Sequence, residues 1–418
     1  MKLSLLAVVP LLAPAVAPAE STPCRVVKLA NLPIEFTRLQ PTLQGKFNGV
    51  DLRLVMDSGA INTTLFPSAV RKAGLSESHS NLENIGVGGR SQTYIAHADE
   101  VKIGPSSGKN LRFIEAVSNN VAADGLLGAD YLFRTDLELV LRDNQVTFTQ
   151  PDGDCDKKLL AYWDHDADWV ESSDAGGSED RRQQVEVRIN GHRFTALLDT
   201  GATQSVLDLQ AARWIGLTPD APGMEYVGEA GGVGAKKMTV WRARTDSFEI
   251  GHETIQHAQI QVGDLFGAAR KSTGRHLDIS GPDMLLGADF MRAHHLLFAR
   301  SQHRLYFSYL GGPVFQISPS PAELAAQVAG HRAGAEKNMA ADMLALAQEL
   351  AAGRGVEVDQ VEAYKWLLIA ANGSWAKDHP DFDKAVHREM AALREELDEP
   401  GLAEASRRAN EAAPPQKP

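Results

Sequence analysis

A chain of 418 residues, 43% of them hydrophobic, carries enough apolar material for two or three packed domains. Its 42 Lys and Arg stand against 54 Asp and Glu, a net charge of −12 that argues against nucleic acid or an anionic membrane surface as a partner. Past the N-terminus no apolar run approaches the length that crosses a bilayer, so no membrane span is expected in the mature chain.

Residues 1–19 join Lys2 to an apolar run, Leu3 to Val16, interrupted by Pro10 and Pro14 and closed by Ala17-Pro18-Ala19. That pattern predicts a cleavable signal peptide and a periplasmic or secreted protein. Ser-Thr-Pro ahead of Cys24 is a poor lipidation box, which argues against a lipoprotein. The only two cysteines, Cys24 and Cys155, bracket the next 130 residues. In an oxidising compartment they could staple the entry of that region to its exit, and the reading favours this over two free thiols.

Residues 20–155 read as short strands. Asn48-Gly49 is a hairpin signal, and Val55-Met56-Asp57-Ser58-Gly59-Ala60 is a strand running into a tight turn that presents a carboxylate. A glycine-rich stretch, Glu83 to Gly89, predicts a hairpin with its tip at Gly88-Gly89. It neither opens a helix nor ends in Gly-Lys-Ser/Thr, so it is no phosphate cradle. Gly125-Leu126-Leu127-Gly128-Ala129-Asp130 follows, and Phe148 closes a last strand.

Residues 156–182 are rich in Asp, Ser and Gly and predict a solvated acidic linker. Within them Asp164-His165-Asp166-Ala167-Asp168 resembles the start of a calcium loop, but Trp169 stands where that loop needs Gly and Ala175 where it needs Glu.

From 183 to 310 the pattern returns. Asn190-Gly191 lies nine residues before Asp199, as Asn48-Gly49 does before Asp57. The turn is now Leu198-Asp199-Thr200-Gly201-Ala202, and Gly216-Leu217 sits 17 residues beyond it as Gly74-Leu75 does beyond Asp57. A second hairpin tip, Gly231-Gly232, precedes Leu285-Leu286-Gly287-Ala288-Asp289, and Phe307 follows Gly287 by the same 20 residues that separate Phe148 from Gly128. This is an internal duplication. His294-His295, which lacks a partner at metal-ligand spacing, reads as structural, and no metal or cofactor is expected.

Residues 311–322 form a Pro/Ser linker, and 323–410 turn Ala-, Glu- and Leu-rich. Met339, Met343, Leu346, Ala347 and Leu350 share one helical face, Gly353-Arg354-Gly355 ends that helix, and Val361 to Ala371 opens another. The Pro/Lys tail, 411–418, is expected to be disordered. From Ala347 to Gly373, Gly353-x-Gly355-Val356, Ala363-x-x-Trp366 and Ala370-Ala371-x-Gly373 resemble a Sel1-like repeat, which implies a TPR-type helical hairpin that serves as a protein-binding surface.

Both copies resemble the retropepsin-like aspartic protease lobe over about residues 41–150 and 183–309. The resemblance rests on the apolar strand, Asp-Ser/Thr-Gly-Ala, the glycine-tipped flap and the apolar-apolar-Gly segment. It implies a mainly β, bilobal fold of two acid-protease barrels followed by a small helical domain, with a polypeptide as substrate. Asp57 and Asp199 would then meet as catalytic residues, supported by the turns Ser58-Gly59-Ala60 and Thr200-Gly201-Ala202. Flaps at Gly88, Gly89, Gly231 and Gly232 would close over the peptide. The chain departs from many viral members at Ala129 and Ala288, where those carry an Arg that braces their dimer. Three other readings compete: Asp-Ser-Gly and Asp-Thr-Gly as purely structural turns of a duplicated β-fold, lobes that grip a peptide without cutting it, as part of a scaffold, and lobes that pair between molecules. Alanine at 60 and 202, in place of the hydroxyl often found in pepsins, removes a donor that would lower a carboxyl pKa, so an optimum of about pH 5 to 7 is expected.

Overall fold

The computed structural model describes residues 22–37, 39–87, 89–117, 123–176, 180–234, 236–267, 281–315 and 321–412. The predicted signal peptide, residues 316–320 of the Pro/Ser linker and residues 413–418 of the Pro/Lys tail lie outside the described residues; at the edges of those two stretches Pro321 and Ala322 already open a helix, and Glu411 and Ala412 still belong to one.

The chain enters along β1 (Arg25–Pro33), and the hairpin β2 (Gln40–Phe47) and β3 (Val50–Met56) begins the first lobe. Asn48 and Gly49 take φ of 45° and 82°, the left-handed conformations that a tight hairpin turn requires and that Asn and Gly tolerate. A long hairpin, β4 (Ser76–Gly86) and β5 (Gly89–Ile103), projects from the lobe. Then β6 (Gly125–Leu127) returns parallel to β3, with Met56 opposite Leu127. The strands β7 (Asp136–Val140) and β8 (Gln145–Asp152) complete it.

The second lobe repeats this plan. After β9 (Asp168–Gly176), β10 (Asp180–Ile189) and β11 (His192–Leu198) turn at Asn190-Gly191, with φ of 51° and 78°. The hairpin β12 (Glu225–Gly231) and β13 (Lys237–Arg244) projects, and β14 (Met284–Leu286) lies parallel to β11 with Leu198 opposite Leu286. The last pair is β15 (His294–Ala299) and β16 (Arg304–Tyr309).

The lobes are joined by backbone. Strands from both enter one run in the order β1-β8-β7-β15-β16-β9, and its seam is the antiparallel pairing of Leu137 with Phe298 and Leu139 with Leu296. A polar contact reinforces the apolar seam where His295 Nε2 of the second lobe meets Glu138 Oε1 of the first at 2.8 Å. The hydroxyl of Tyr162 donates to the same carboxylate at 2.7 Å. Outside the sheet, Cys24 and Cys155 form a disulfide that closes the first lobe's entry onto its exit. Because it closes a loop of 131 residues, it removes much freedom from the unfolded chain.

One expectation needs correcting. The stretch from 172 to 180, read as a solvated linker, is mostly strand: β9 pairs with β16 through Val170 and Leu305, and with β10 through Ser172 and Val185. Its polar composition misled because side-chain partners take the place of apolar burial. Asp174 accepts two hydrogen bonds from Arg300, at 3.0 and 2.6 Å, and one from Gln183. The earlier acidic run is also engaged: Asp164 accepts from Ser308 at 2.7 Å, and Asp168 bonds the backbone and ring of His252.

Five main helices follow: α1 (Pro321–Glu336), α2 (Ala340–Ala352), α3 (Gln360–Asn372), α4 (Pro380–Glu396) and α5 (Glu399–Ala412). They enclose a core of their own, in which Met343, Leu346, Ala347 and Leu350 meet Tyr364, Leu367, Phe382 and Val386. Met339 does not join it, because it is the N-cap of α2 and remains 50% exposed. Gly353 ends α2 with φ 66°, the left-handed cap that glycine provides. This core meets the second lobe at Tyr226 of β12, whose carbonyl lies 3.5 Å from Arg388 of α4.

Candidate active site

Each projecting carboxylate is placed by the same device. Asp57 N donates to Leu127 O at 2.9 Å, and Asp199 N to Leu286 O at 3.0 Å, so each Asp leaves its strand tethered to the returning parallel strand. The return segments need glycine because a Cβ on Gly128 would sit 2.5 Å from Asn62 C and one on Gly287 2.8 Å from Ala202 O. Just beyond, Asp130 accepts from Thr63 N and Oγ1 at 2.8 and 2.7 Å, and Asp289 accepts from Ser205 N and Oγ at 2.9 and 2.6 Å. Thr63 and Ser205 each stand six residues after their Asp, so the duplication contained this bracing although its role was not read from the sequence.

Four reciprocal hydrogen bonds lock the two turns. Ser58 Oγ donates to Leu198 O at 2.7 Å and accepts from Thr200 N at 2.9 Å. In return Thr200 Oγ1 donates to Met56 O at 2.6 Å and accepts from Ser58 N at 3.0 Å. Both side chains are fully buried, and the bonds satisfy backbone groups that would otherwise be orphaned away from water. The glycines then let the lobes approach: a Cβ on Gly59 would lie 2.4 Å from Asp199 Cγ, and one on Gly201 2.5 Å from Asp57 Cγ. Any side chain at either position would push the turns apart.

Asp57 and Asp199 consequently face each other within hydrogen-bonding reach. Burial, then the charge of Asp199, push Asp57 well above the usual carboxylate range, although the amides of Ala60 and Gly59 oppose the rise. Burial also raises Asp199, against the amides of Ala202 and Gly201, the hydrogen bond with Asp57 and the nearby guanidinium of Arg182. Two carboxyls so close favour a state that shares one proton.

Two further residues touch the turns, and both stand 17 places before an Asp. Gln40 of the first lobe donates Nε2 to Gly201 O at 2.7 Å. Arg182 of the second, paired with Asp180 at 2.7 Å, reaches Gly59 O at 3.4 Å. Their equal spacing was readable in the sequence, but a Gln and an Arg do not announce one role.

Above the turns the hairpin tips cross. Val87 leaves its own lobe and packs among residues of the second, including Leu197, Met238 and Leu285. Val233 packs in the first lobe beside Val55, Phe66 and Leu126, and Gly234 N donates to Val117 O at 3.1 Å. At the crossing a Cβ on Gly86 would be 2.5 Å from Val233 O, and one on Gly232 3.3 Å from Val87 Cβ. Of the expected flap glycines, Gly232 lies at this contact, Gly231 pairs with Lys237 at the end of β12, and Gly89 pairs with Gly86. Gly88 lies outside the described residues. Gly86, the first flap's contact glycine, had not been singled out.

His294 is held between Phe290 O at 2.7 Å and Glu253 at 2.9 Å, stacked on Phe290. Among the described residues no group of His, Cys, Asp and Glu could hold a metal ion. Nor is any helix among them long and apolar enough to cross a membrane.

Paired β lobes presenting facing aspartates on Asp-Ser/Thr-Gly-Ala turns define an aspartyl protease architecture. A model of the aspartyl protease family matches residues 43–131 and again 185–290, one match in each lobe. The UBA domain-containing protein Mud1 of Schizosaccharomyces pombe is 32% identical over 110 residues, 26% of this chain and 28% of that protein. The chain thus matches little more than a quarter of that relative's length.

Proposed function

We propose that the chain is an aspartic endopeptidase that hydrolyses polypeptides with a water activated by Asp57 and Asp199. The observation that carries this reading is the four-bond lock between Ser58 and Thr200, which holds two buried carboxyls face to face. In the reaction the ionised carboxylate takes a proton from water as its oxygen attacks the scissile carbonyl carbon, and the protonated partner gives its proton to the carbonyl oxygen. A tetrahedral diol results. Return of a proton to the amide nitrogen lets the C–N bond break, releasing an amine and a carboxylic acid. The crossed flap tips must part to admit an extended chain and close again over it, which excludes bulk water from the carboxyls.

The rest of the reading follows the sequence. Export through the N-terminal segment agrees with the Cys24–Cys155 disulfide, since such bonds persist in oxidising compartments. The helices serve as a Sel1-like interaction surface. With methyls at Ala60 and Ala202 instead of hydroxyl donors, the optimum lies at about pH 5 to 7.

The test is digestion of a denatured protein mixture by the chain from Glu20 onward, beside Asp57→Asn and Asp199→Asn, over about pH 3 to 8. Cutting by wild type in a monomeric sample, and by neither variant, is the expected result. Equal behaviour of all three would overturn the dyad.

A further inference from the structure

Between the helical module and the second flap lies a cavity of about 920 Å³. One wall is the flap itself, with Glu225, Val227 and Glu229 of β12 and Lys237 and Arg242 of β13. Gln204, five residues past Asp199, and Leu39, the neighbour of Gln40, also line it. Val227 belongs at the same time to the apolar cluster that receives the first flap's Val87. The opposite wall comes from α1, α2 and α4.

The charges on the two walls differ. On the flap they cancel, since Arg242 pairs with Glu225 at 3.4 Å and Lys237 with Glu229 at 3.8 Å. On the helical side four carboxylates, Asp342, Glu349, Glu389 and Glu396, share the cavity with one guanidinium, Arg354, and one imidazole, His331.

Glu349 of α2 supplies an independent sign of a ligand. It is 4% exposed and lines the cavity. Its Oε1 accepts from Gln327 Nε2 at 2.9 Å and bonds His331 Nδ1 at 3.0 Å, whereas its Oε2 is buried with no hydrogen-bond partner. A carboxylate oxygen stripped of water and given no donor is a site one hydrogen bond short. An ammonium or guanidinium would supply that bond. When His331 is protonated it offsets the charge of Glu349, and the excess then rests on Asp342, Glu389 and Glu396.

We infer that this cavity is a distal subsite of the cleft, taking a lysine or arginine side chain of the polypeptide substrate with its cationic head donating to Glu349 Oε2. The inference rests on the peptidase reading. A substrate chain is favoured over a separate small cation because one wall is the flap that would lie over that chain, and Gln204 of the same wall follows the Asp199 turn. A volume near the upper end of ordinary ligand pockets accommodates the longest side chains.

The experiment uses a labelled peptide, its Ala-only parent, and a series in which one Lys moves along it residue by residue. Binding is read by fluorescence anisotropy with wild type, Glu349→Gln and Ala345→Trp, the last filling the cavity without touching a charge. Thermal melts report whether each variant folds. At one position Lys should bind about tenfold more tightly than Ala, as expected for a hydrogen bond to a charged group, and both variants should lose that preference. If Glu349→Gln fails to fold, Ala345→Trp decides alone. No Lys preference at any position, no peptide binding at all, or a preference that survives Ala345→Trp would overturn the subsite. So would stabilisation by free lysinamide without any preference among peptides, which would assign the cavity to a separate cation. Cleavage of the Ala parent is measured in parallel. Cutting without a Lys preference defeats the subsite alone, and selective binding without cutting defeats the peptidase reading alone.

Discussion

The two lobes descend from one pattern, yet they are not equivalent. Each carries an Asn-Gly hairpin, a buried hydroxyl beside its Asp and a braced Leu-Leu-Gly-Ala-Asp segment. The first is stapled by a disulfide. The second has its hairpin strand held by the helical module through Tyr226 and sends a guanidinium to the opposite Asp turn where the first sends an amide. What is common brings the two carboxyls together. What differs sets the charge around it and the freedom of each flap.

The largest test concerns the feature that needs both lobes equally. Asp57→Asn and Asp199→Asn should each lower kcat at least about 10³-fold, because either change removes a shared acid and base. Stability should move the other way. Both carboxyls are raised above their unfolded values, so each stabilises the fold relatively more at low pH and loses that advantage as pH rises. At neutral pH each Asn variant should therefore melt higher than wild type, and the gain should fade below about pH 4. Melting curves in which neither variant gains stability at neutral pH would mean that the buried pair does not strain the fold.

The lock is the most symmetric feature, and it predicts equal losses. Ser58→Ala and Thr200→Ala each strand a buried carbonyl and a buried N–H, which should cost about 2 to 4 kcal/mol in urea unfolding. A loss confined to one lobe would mean that the four bonds do not act as a reciprocal set.

How much of this was legible follows the same division. The duplication, both Asp-Ser/Thr-Gly-Ala turns and both projecting hairpins could be read because their local requirements, a tight turn or a close backbone approach, tolerate few residue types. The Asn-Gly turns and the glycine at 59 and 201 are of that kind. The strand β9 was not legible, because Asp174 and Ser172 gain their place through side-chain partners on other elements, Arg300 and Gln183, and its sequence lacks the apolar–polar alternation that marks an ordinary strand. Gly86 was missed since its constraint comes from Val233 of the other flap. The contact of Tyr226 with the helices has no local signature either.

A smaller effect concerns the bracing carboxylate of the second lobe. Burial raises Asp289 to about 6 in spite of the bonds from Ser205. Below about pH 4 it is neutral folded or unfolded; as pH climbs to about 6 only the unfolded chain ionises it freely, so stability falls across that window, by at most about 3 kcal/mol. Asp289→Asn should flatten the fall in a pH series of unfolding curves.

The finest distinction lies between Gln40 and Arg182. Both contact the opposite turn's glycine carbonyl, so removing either loosens the floor a little. Only Arg182 adds a charge that opposes the rise of Asp199. Arg182→Gln makes the lobes alike at this position, keeping a donor while deleting the cation. The acidic limb of the pH-rate profile should then move to higher pH, because the carboxylate loses a favourable charge and holds its proton longer. Gln40→Ala should lower kcat without moving that limb, since it removes a hydrogen bond and no charge. If both substitutions shift the limb alike, Arg182 acts through geometry, and the electrostatic difference between the lobes lies elsewhere than at the residue 17 places before each Asp.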